Sequence, residues 1–345
     1  MSLRDEIREQ PAAAERQLAS SRSALAALVE RLRKQPVDLV VVAARGTSDH
    51  AAIYAQYLLG TVHRLPVALA APSIQSLYGV VPRFDRALVI GVSQSGASPD
   101  IVGVVAAARD QGAPTLAITN DPASALAAAA DHVIELAAGP ERAIAATKTY
   151  TTSLLAIARL SAALAGDRAA DAQLAGLPAA IDQALGSEAE VEAVAAALAP
   201  STRCVVLGRG FEYATAREWA LKLKELAQVF ADPHSAADFQ HGPVALIEPG
   251  VPVLAVAPEG RASADLVGLL ARLRSEVAAD VFVLSDAAAI RAVASRAVAL
   301  PQGVPEWLQP IVSIVPAQLY AYHLTKAKGL DPEVPRNLTK VTLTR

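Results

Sequence analysis

The chain has 345 residues, 53% of them hydrophobic but only 4% aromatic, and a formal net charge of −3. That length exceeds what one ordinary core organises, so two domains or two packed halves are expected, and the charge leaves no basic stripe for nucleic acid or an anionic membrane. The single cysteine, Cys204, excludes an intrachain disulfide and a cysteine-rich zinc site.

The N-terminus carries Arg4, Asp5, Glu6, Arg8 and Glu9, which is not the pattern of a signal peptide. No apolar run reaches the roughly 18 residues of a membrane span without charges or helix breakers, so a cytoplasmic protein is expected. Residues 1–35 read as a helical segment with Leu18, Leu25, Leu28 and Leu32 close to one face and an early break at Pro11. From Val37 the pattern becomes strand and helix in alternation. Strands are predicted at residues 38–44, 67–69, 89–92, 115–118 and 132–136, with helices after most of them and a long one near 147–164. After an Ala-rich helical connector near 176–199 the theme restarts, with strands at 203–207, 253–257 and 281–284. Gly46 answers Gly210, Gly96 answers Gly260, and Asn120 answers Ser285, each pair 164 or 165 positions apart. A constant offset over three strand-to-loop junctions is the mark of a duplicated domain. Two α/β halves follow, 36–170 and 195–330, each a parallel sheet wrapped by helices, with 331–345 as a Pro-punctuated tail.

The stretch 87–98 organises the first half. Its apolar run ends in Ser93-Gln94-Ser95-Gly96-Ala97-Ser98, and a helical pattern begins at once. A buried parallel strand feeding a helix N-terminus offers unpaired N–H groups and the positive end of the helix dipole. With hydroxyl donors and no Lys or Arg in the loop, a phosphate monoester suits it better than a polyphosphate. A Ser-rich N-cap without ligand is the alternative for this loop alone. The second half has Ala257-Pro258-Glu259-Gly260 at the matching place. Pro258 removes a donor and Glu259 adds negative charge, so this loop should not hold phosphate.

The second half has its own charged pattern. Glu218, Lys222 and Glu225 fall at i, i+4 and i+7 on one helix face. Alone, that spacing reads first as a solvated salt-bridge face. His241, beside Gly242-Pro243, is placed to be exposed and to act as acid or base near neutral pH. In the tail, Leu338, Val341 and Leu343 are apolar anchors that would carry Lys340 into a cleft, against the default of a frayed end.

Taken together, Arg45-Gly46-Thr47-Ser48, Ser93-Gln94-Ser95-Gly96, Ala145-Ala146-Thr147-Lys148, Ala220–Glu225, His241-Gly242-Pro243 and Pro335–Lys340 make the chain resemble the sugar isomerase (SIS) domain family. Within it, the chain is similar to the isomerase part of glucosamine-6-phosphate synthase and to stand-alone deaminase relatives. The resemblance implies two tandem SIS domains of flavodoxin-like, three-layer architecture. It implies that Thr47, Ser48, Ser93, Gln94, Ser95 and Ser98 bind the 6-phosphate of a hexose. Glu225 would carry a proton between carbons 1 and 2, and His241, from the neighbouring subunit of a homodimer with shared sites, would open the ring. Lys340 would lie near the sugar carbonyl, where the family can form a Schiff base. Lys222, Glu218, Glu141 and Gly46 would line the site. Ala146 stands where the synthase has a serine, which removes a hydroxyl from that position.

The synthase begins with a glutamine-hydrolysing domain built on an N-terminal cysteine, whereas here a short helical segment follows Met1. The expectation is therefore the reverse reaction, glucosamine 6-phosphate to fructose 6-phosphate and ammonia, with no metal and no organic cofactor. Galactosamine 6-phosphate or fructosamine 6-phosphate as substrate, ammonia-dependent synthesis, and a regulator that binds sugar phosphate without turnover are the alternatives. The last is disfavoured because 1–35 is too short and too mixed in charge for a helix-turn-helix domain.

Overall fold

A computed structural model describes residues 2–340. Of the three expected tail anchors, Val341 and Leu343 lie outside the described residues, and Leu338 is exposed rather than buried. The chain opens with three helices, α1 (Leu3–Arg8), α2 (Gln10–Ala19) and α3 (Arg22–Lys34). The expected break at Pro11 falls elsewhere: the interruptions are at Glu9 and at Ser20–Ser21. Pro11 is the second residue of α2, where a missing N–H removes no intrahelical bond.

Two compact units follow from the contacts. One holds Gln10–Glu141, Lys148–Gly176 and the chain end from Thr339; the other holds the segment up to Glu9, Arg142–Thr147 and Leu177–Leu338. The first unit contains β1 (Leu39–Ala43), α4 (Thr47–His63), β2 (Val67–Leu69), α5 (Ser73–Ser76), β3 (Ala87–Val92) and α6 (Pro99–Asp110). It continues with β4 (Thr115–Thr119), α7 (Ala125–Ala129), β5 (His132–Glu135), α8 (Lys148–Ala165) and α9 (Arg168–Ala175). Its five strands are parallel in the order β2-β1-β3-β4-β5. Central β3 is buried along its whole length, which is why its sequence is an unbroken apolar run rather than an alternating one. Val89, Ile101, Val105, Ala117 and Leu126 form the core on one face of the sheet.

The second unit contains α10 (Leu177–Leu185), α11 (Glu188–Leu198), β6 (Arg203–Gly208), α12 (Glu212–Ala227), β7 (Phe230–Ser235), α13 (Ala236–Phe239) and β8 (Pro252–Val256). It ends with α14 (Ser263–Glu276), β9 (Asp280–Ser285), α15 (Ala288–Val293), β10 (Arg296–Ala299) and α16 (Gln309–Ala327). The strand order is β10-β9-β8-β6-β7, again all parallel. Counted from the first strand of each sheet, both run 2-1-3-4-5. The duplication inferred from spacing is a duplication of topology. Sequence patterning had named β6, β8 and β9 but neither edge strand. β7 carries Asp232 and Pro233, which only an edge tolerates, and β10 opens on Arg296.

Helix α12 is fixed by an aromatic cluster. Trp219 meets Tyr320 of α16 edge-on at 5.5 Å and Phe282 of β9 at 5.8 Å. Such pairs add about 0.5–1.5 kcal/mol each beyond the area they bury. They set the rotation of α12, and so the direction in which its charged face points.

Candidate active site

In a 2-1-3-4-5 sheet the crossovers leave β1 and β3 in opposite directions, and ligands bind outside the carboxyl ends of those two strands. In the first unit the loops there are 44–46 and 93–98. Gly46 caps α4 with φ +53°, so Thr47 and Ser48 form its first turn; Ser98 caps α6. Two helix N-termini therefore flank one crevice. The loop between them is tied down from behind. Ser93 N–H donates to Ile118 O (3.1 Å), and Gln94 O accepts from Asn120 N–H (3.1 Å) and from Thr119 Oγ1 (3.3 Å). Gly96 O accepts from Leu126 N–H at 3.0 Å. The peptides of this loop are trans, so with the Gln94 and Gly96 carbonyls turned towards β4 and α7, the N–H of Ser95 points the other way, while that of Ala97 turns to Ser95 Oγ. Gly96 is required twice over: its φ is +60°, and a Cβ there would lie 2.1 Å from Ser124 Oγ. Ser93 Oγ and Ser95 Oγ receive the N–H groups of Gly96 (3.2 Å) and Ala97 (3.3 Å). The nearby Arg45 is spoken for, its Nε 2.9 Å from the buried carboxylate of Asp100. Thr47 and Ser48, in the first turn of α4, and Ser93, Gln94, Ser95 and Ser98, in the loop after β3, thus lie at the carboxyl ends of the adjacent strands β1 and β3.

Glu141 belongs to the same unit. Its buried carboxylate accepts from Thr149 N–H (3.1 Å) and Thr149 Oγ1 (2.8 Å) in the first turn of α8, and from Lys340 Nζ at 2.8 Å. The segment leading to Glu141 is held by Asn120, whose amide donates to Gly139 O and whose carbonyl accepts from Ala138 N–H.

The remaining predicted residues lie in the second unit. On α12, Lys222 Nζ sits 3.4 Å from Glu218 Oε1 and is hydrogen-bonded to Glu225 Oε2. Glu218 and Lys222 are fully buried and only Glu225 reaches solvent. The solvated face that spacing alone suggested is therefore a buried charged row with one wet end. That end opens into a pocket of about 350 Å³ lined by Lys224, Glu225, Gln228, Arg336, Asn337 and Leu338. His241 is exposed and lines a separate groove of about 750 Å³ with Arg209, Gln240, Asp265 and Arg272.

The matching crevice of the second unit is occupied by the chain itself. Glu259 N–H donates to Asp286 Oδ1 (2.6 Å), Gly260 N–H to Ser263 Oγ (2.7 Å) and Arg261 N–H to Glu306 Oε1 (2.9 Å). Only about 20 Å³ is left there, roughly room for a single water molecule. Glu212, at the start of α12, lines this space. Burial pushes its carboxyl up to about 7 although it accepts from Ser313 Oγ at 2.8 Å. Sequence reasoning missed Asp286, Glu306, Asp100 and Thr149. Only Asp100 carried a local signal, as an acid in the first turn of the helix that follows the serine loop. Among the described residues no group of three or more His, Cys, Asp or Glu side chains could hold a metal ion, and no helix is long and apolar enough to cross a membrane.

Two copies of one parallel α/β fold in a single chain are what the comparison with the SIS domain family also finds. That family matches residues 35–163 and 197–327, and the chain belongs to it. Its relatives include the isomerizing glutamine–fructose-6-phosphate aminotransferase of Pyrococcus horikoshii, 36% identical over 97% of this chain and 56% of that protein. The chain thus spans a little over half the length of the curated relatives it matches. Among solved structures, a candidate phosphosugar isomerase from Silicibacter pomeroyi DSS-3 is 35% identical with a TM-score of 0.86, covering 96% of this chain and 100% of that one. The C-terminal domain of glucosamine-fructose-6-phosphate aminotransferase from Francisella tularensis is 26% identical with a TM-score of 0.85, over 96% and 98% of the two chains.

Proposed function

We propose that the protein transfers a proton between carbons 1 and 2 of a hexose 6-phosphate and, acting on glucosamine 6-phosphate, forms fructose 6-phosphate and ammonia. The observation that carries this reading is the serine loop 93–98, with helix N-termini at two adjacent strand ends and the Ser95 N–H turned away from the carbonyls that tie the loop down. It suits a single phosphate ester on an otherwise neutral molecule. The hexose 6-phosphates in the names of the relatives support the same substrate class.

In this reading the ester anchors the sugar, which removes much of the orientational entropy from the later steps. His241, supplied by a second copy of the chain, assists ring opening. Glu225 takes the proton from carbon 2, and the aldehyde at carbon 1 accepts the electron pair to give an enolamine. The proton returns to carbon 1, leaving an imine at carbon 2. Water adds there, the carbon–nitrogen bond breaks, and ammonia departs as the ketone forms. Lys222, pinned between Glu218 and Glu225, keeps positive charge beside the base. Lys340 supplies an amine near the carbonyl.

The test is ammonia release from glucosamine, galactosamine and fructosamine 6-phosphates, with ketose formation followed in parallel. Release from the first above the others, abolished by Glu225→Gln, is the expected result. Tight binding with no product from any of the three would turn the reading into a sensor of sugar phosphates.

A further inference from the structure

Lys340 is the last described residue of the chain, and its ammonium is bonded at 2.8 Å to the buried carboxylate of Glu141. Glu141 is in turn gripped by both the N–H and the hydroxyl of Thr149. We infer that Glu141 is a positioning residue that holds the amine of Lys340 at the N-terminal end of α8, with Thr149 setting the rotamer of Glu141. The inference rests on the proposed reaction only for what the amine does once it is held there.

Three features carry it. The first turn of a helix is its positive end, which repels an ammonium unless an anion stands between them; Glu141 stands there. The acceptor must also be a carboxylate. Thr149 N–H, Thr149 O–H and Lys340 N–H are all donors, and a carboxylate faces all three with lone pairs, whereas an amide would turn N–H groups towards one of them. Finally, the side chain of Glu141 is fully buried and that of Lys340 one-quarter exposed, so the pair is shielded far better than an ordinary surface ion pair. A long, flexible lysine is thereby confined to one place, as an amine that must meet a carbonyl has to be.

Native-state digestion of the full chain with trypsin reads this contact directly. The protease must draw the lysine side chain into its own pocket, so a lysine held by Glu141 resists cleavage. The readout is cleavage after Lys340 divided by cleavage after the exposed Arg336, a ratio that general loosening does not move. In Glu141→Gln the ratio should rise about 10-fold, because proteolysis follows the population of the released side chain. Glu141→Asp, which keeps the charge, should recover most of the protection, and Thr149→Val should give a smaller rise. Thr149→Val also carries the test if Glu141→Gln does not fold. An unchanged ratio in these variants, or equal acceleration at both sites, overturns the proposal. In turnover, Glu141→Gln should lower kcat by about 10-fold with little change in KM, since the phosphate cup is untouched. Equal loss in kcat and rise in KM would remove the positioning role. A raised trypsin ratio with no ammonia from any sugar phosphate would leave the contact standing and remove the reaction instead.

Discussion

The two sheets share a strand order and a loop spacing, yet one crevice is left open and the other is filled. Ser48 and Ser93–Gly96 of the first unit correspond, at the 164-residue offset, to Glu212 and Ala257–Gly260 of the second. In the first, neutral serine hydroxyls receive the N–H groups of Gly96 and Ala97. In the second, the carboxylates of Asp286 and Glu306 join Ser263 in receiving the N–H groups of Glu259, Gly260 and Arg261, so negative charge already stands at the loop. Duplicating the fold duplicated the strand-to-helix junction. The residues at its rim then decided whether hydroxyls or carboxylates stand there.

That contrast is open to direct attack. The largest effect should come from Glu225, the base of the proposed reaction. Glu225→Gln keeps the shape of α12 and its bond to Lys222, so ester binding should survive while turnover falls by about 10² or more. Comparing equilibrium binding with single-turnover rates separates the two. Equal loss of both would mean that Glu225 serves binding, and the division of work between the units would fail.

A pair of glycine variants tests the crevices themselves. Gly96→Ala must place a methyl group 2.1 Å from Ser124 Oγ at φ +60°, so the serine loop has to move. A loss of about 2–3 kcal/mol in stability and a 10- to 100-fold weaker sugar-phosphate affinity are expected. At Gly260 the nearest atom is Glu306 Oε1 at 2.5 Å, the far end of a flexible side chain, and the φ is not in the left-handed region. Gly260→Ala should therefore shift Glu306 and cost about 1 kcal/mol, with ester affinity unchanged. Urea midpoints and titration with the sugar phosphate check both. If Gly260→Ala weakens the ester as much as Gly96→Ala does, the second crevice is a ligand site after all.

Much of this contrast was readable from the residues in order. The buried central strands announce themselves as apolar runs, the serine loop as an abrupt change to small polar residues, and the duplication as a constant offset. Pro258 and Glu259 already mark the second loop as different in chemistry, with one donor fewer and one negative charge more. The partners that fill that loop were not legible. Glu306 lies 45 positions from Arg261, and Lys340 lies 199 from Glu141; neither carries a local pattern that points to the other. Burial was likewise hidden on α12, because an i, i+4, i+7 charge spacing is common to solvated and buried faces. What distinguishes them is the Trp219–Tyr320–Phe282 packing, which is tertiary.

An effect on stability alone concerns Glu212, which replaces Ser48 at the duplicated position. One of its oxygens, Oε1, is buried without a hydrogen-bond partner, and burial holds the carboxyl at about 7 against an ordinary value of 4.5. With the folded value raised, the unfolded chain loses its proton first as pH climbs. Stability from this group is thus full below about 4.5, falls between 4.5 and 7, and is constant above that. Glu212→Gln cannot ionise, so it should lack that fall and gain about 2–3 kcal/mol on the wild type between pH 5 and 8. Urea midpoints of the two proteins at pH 5, 6, 7 and 8 are the measurement. Parallel curves would mean that Glu212 ionises freely where it stands. The second crevice would then be wetter than its packing implies, and the difference between the two copies would rest on Asp286 and Glu306 alone.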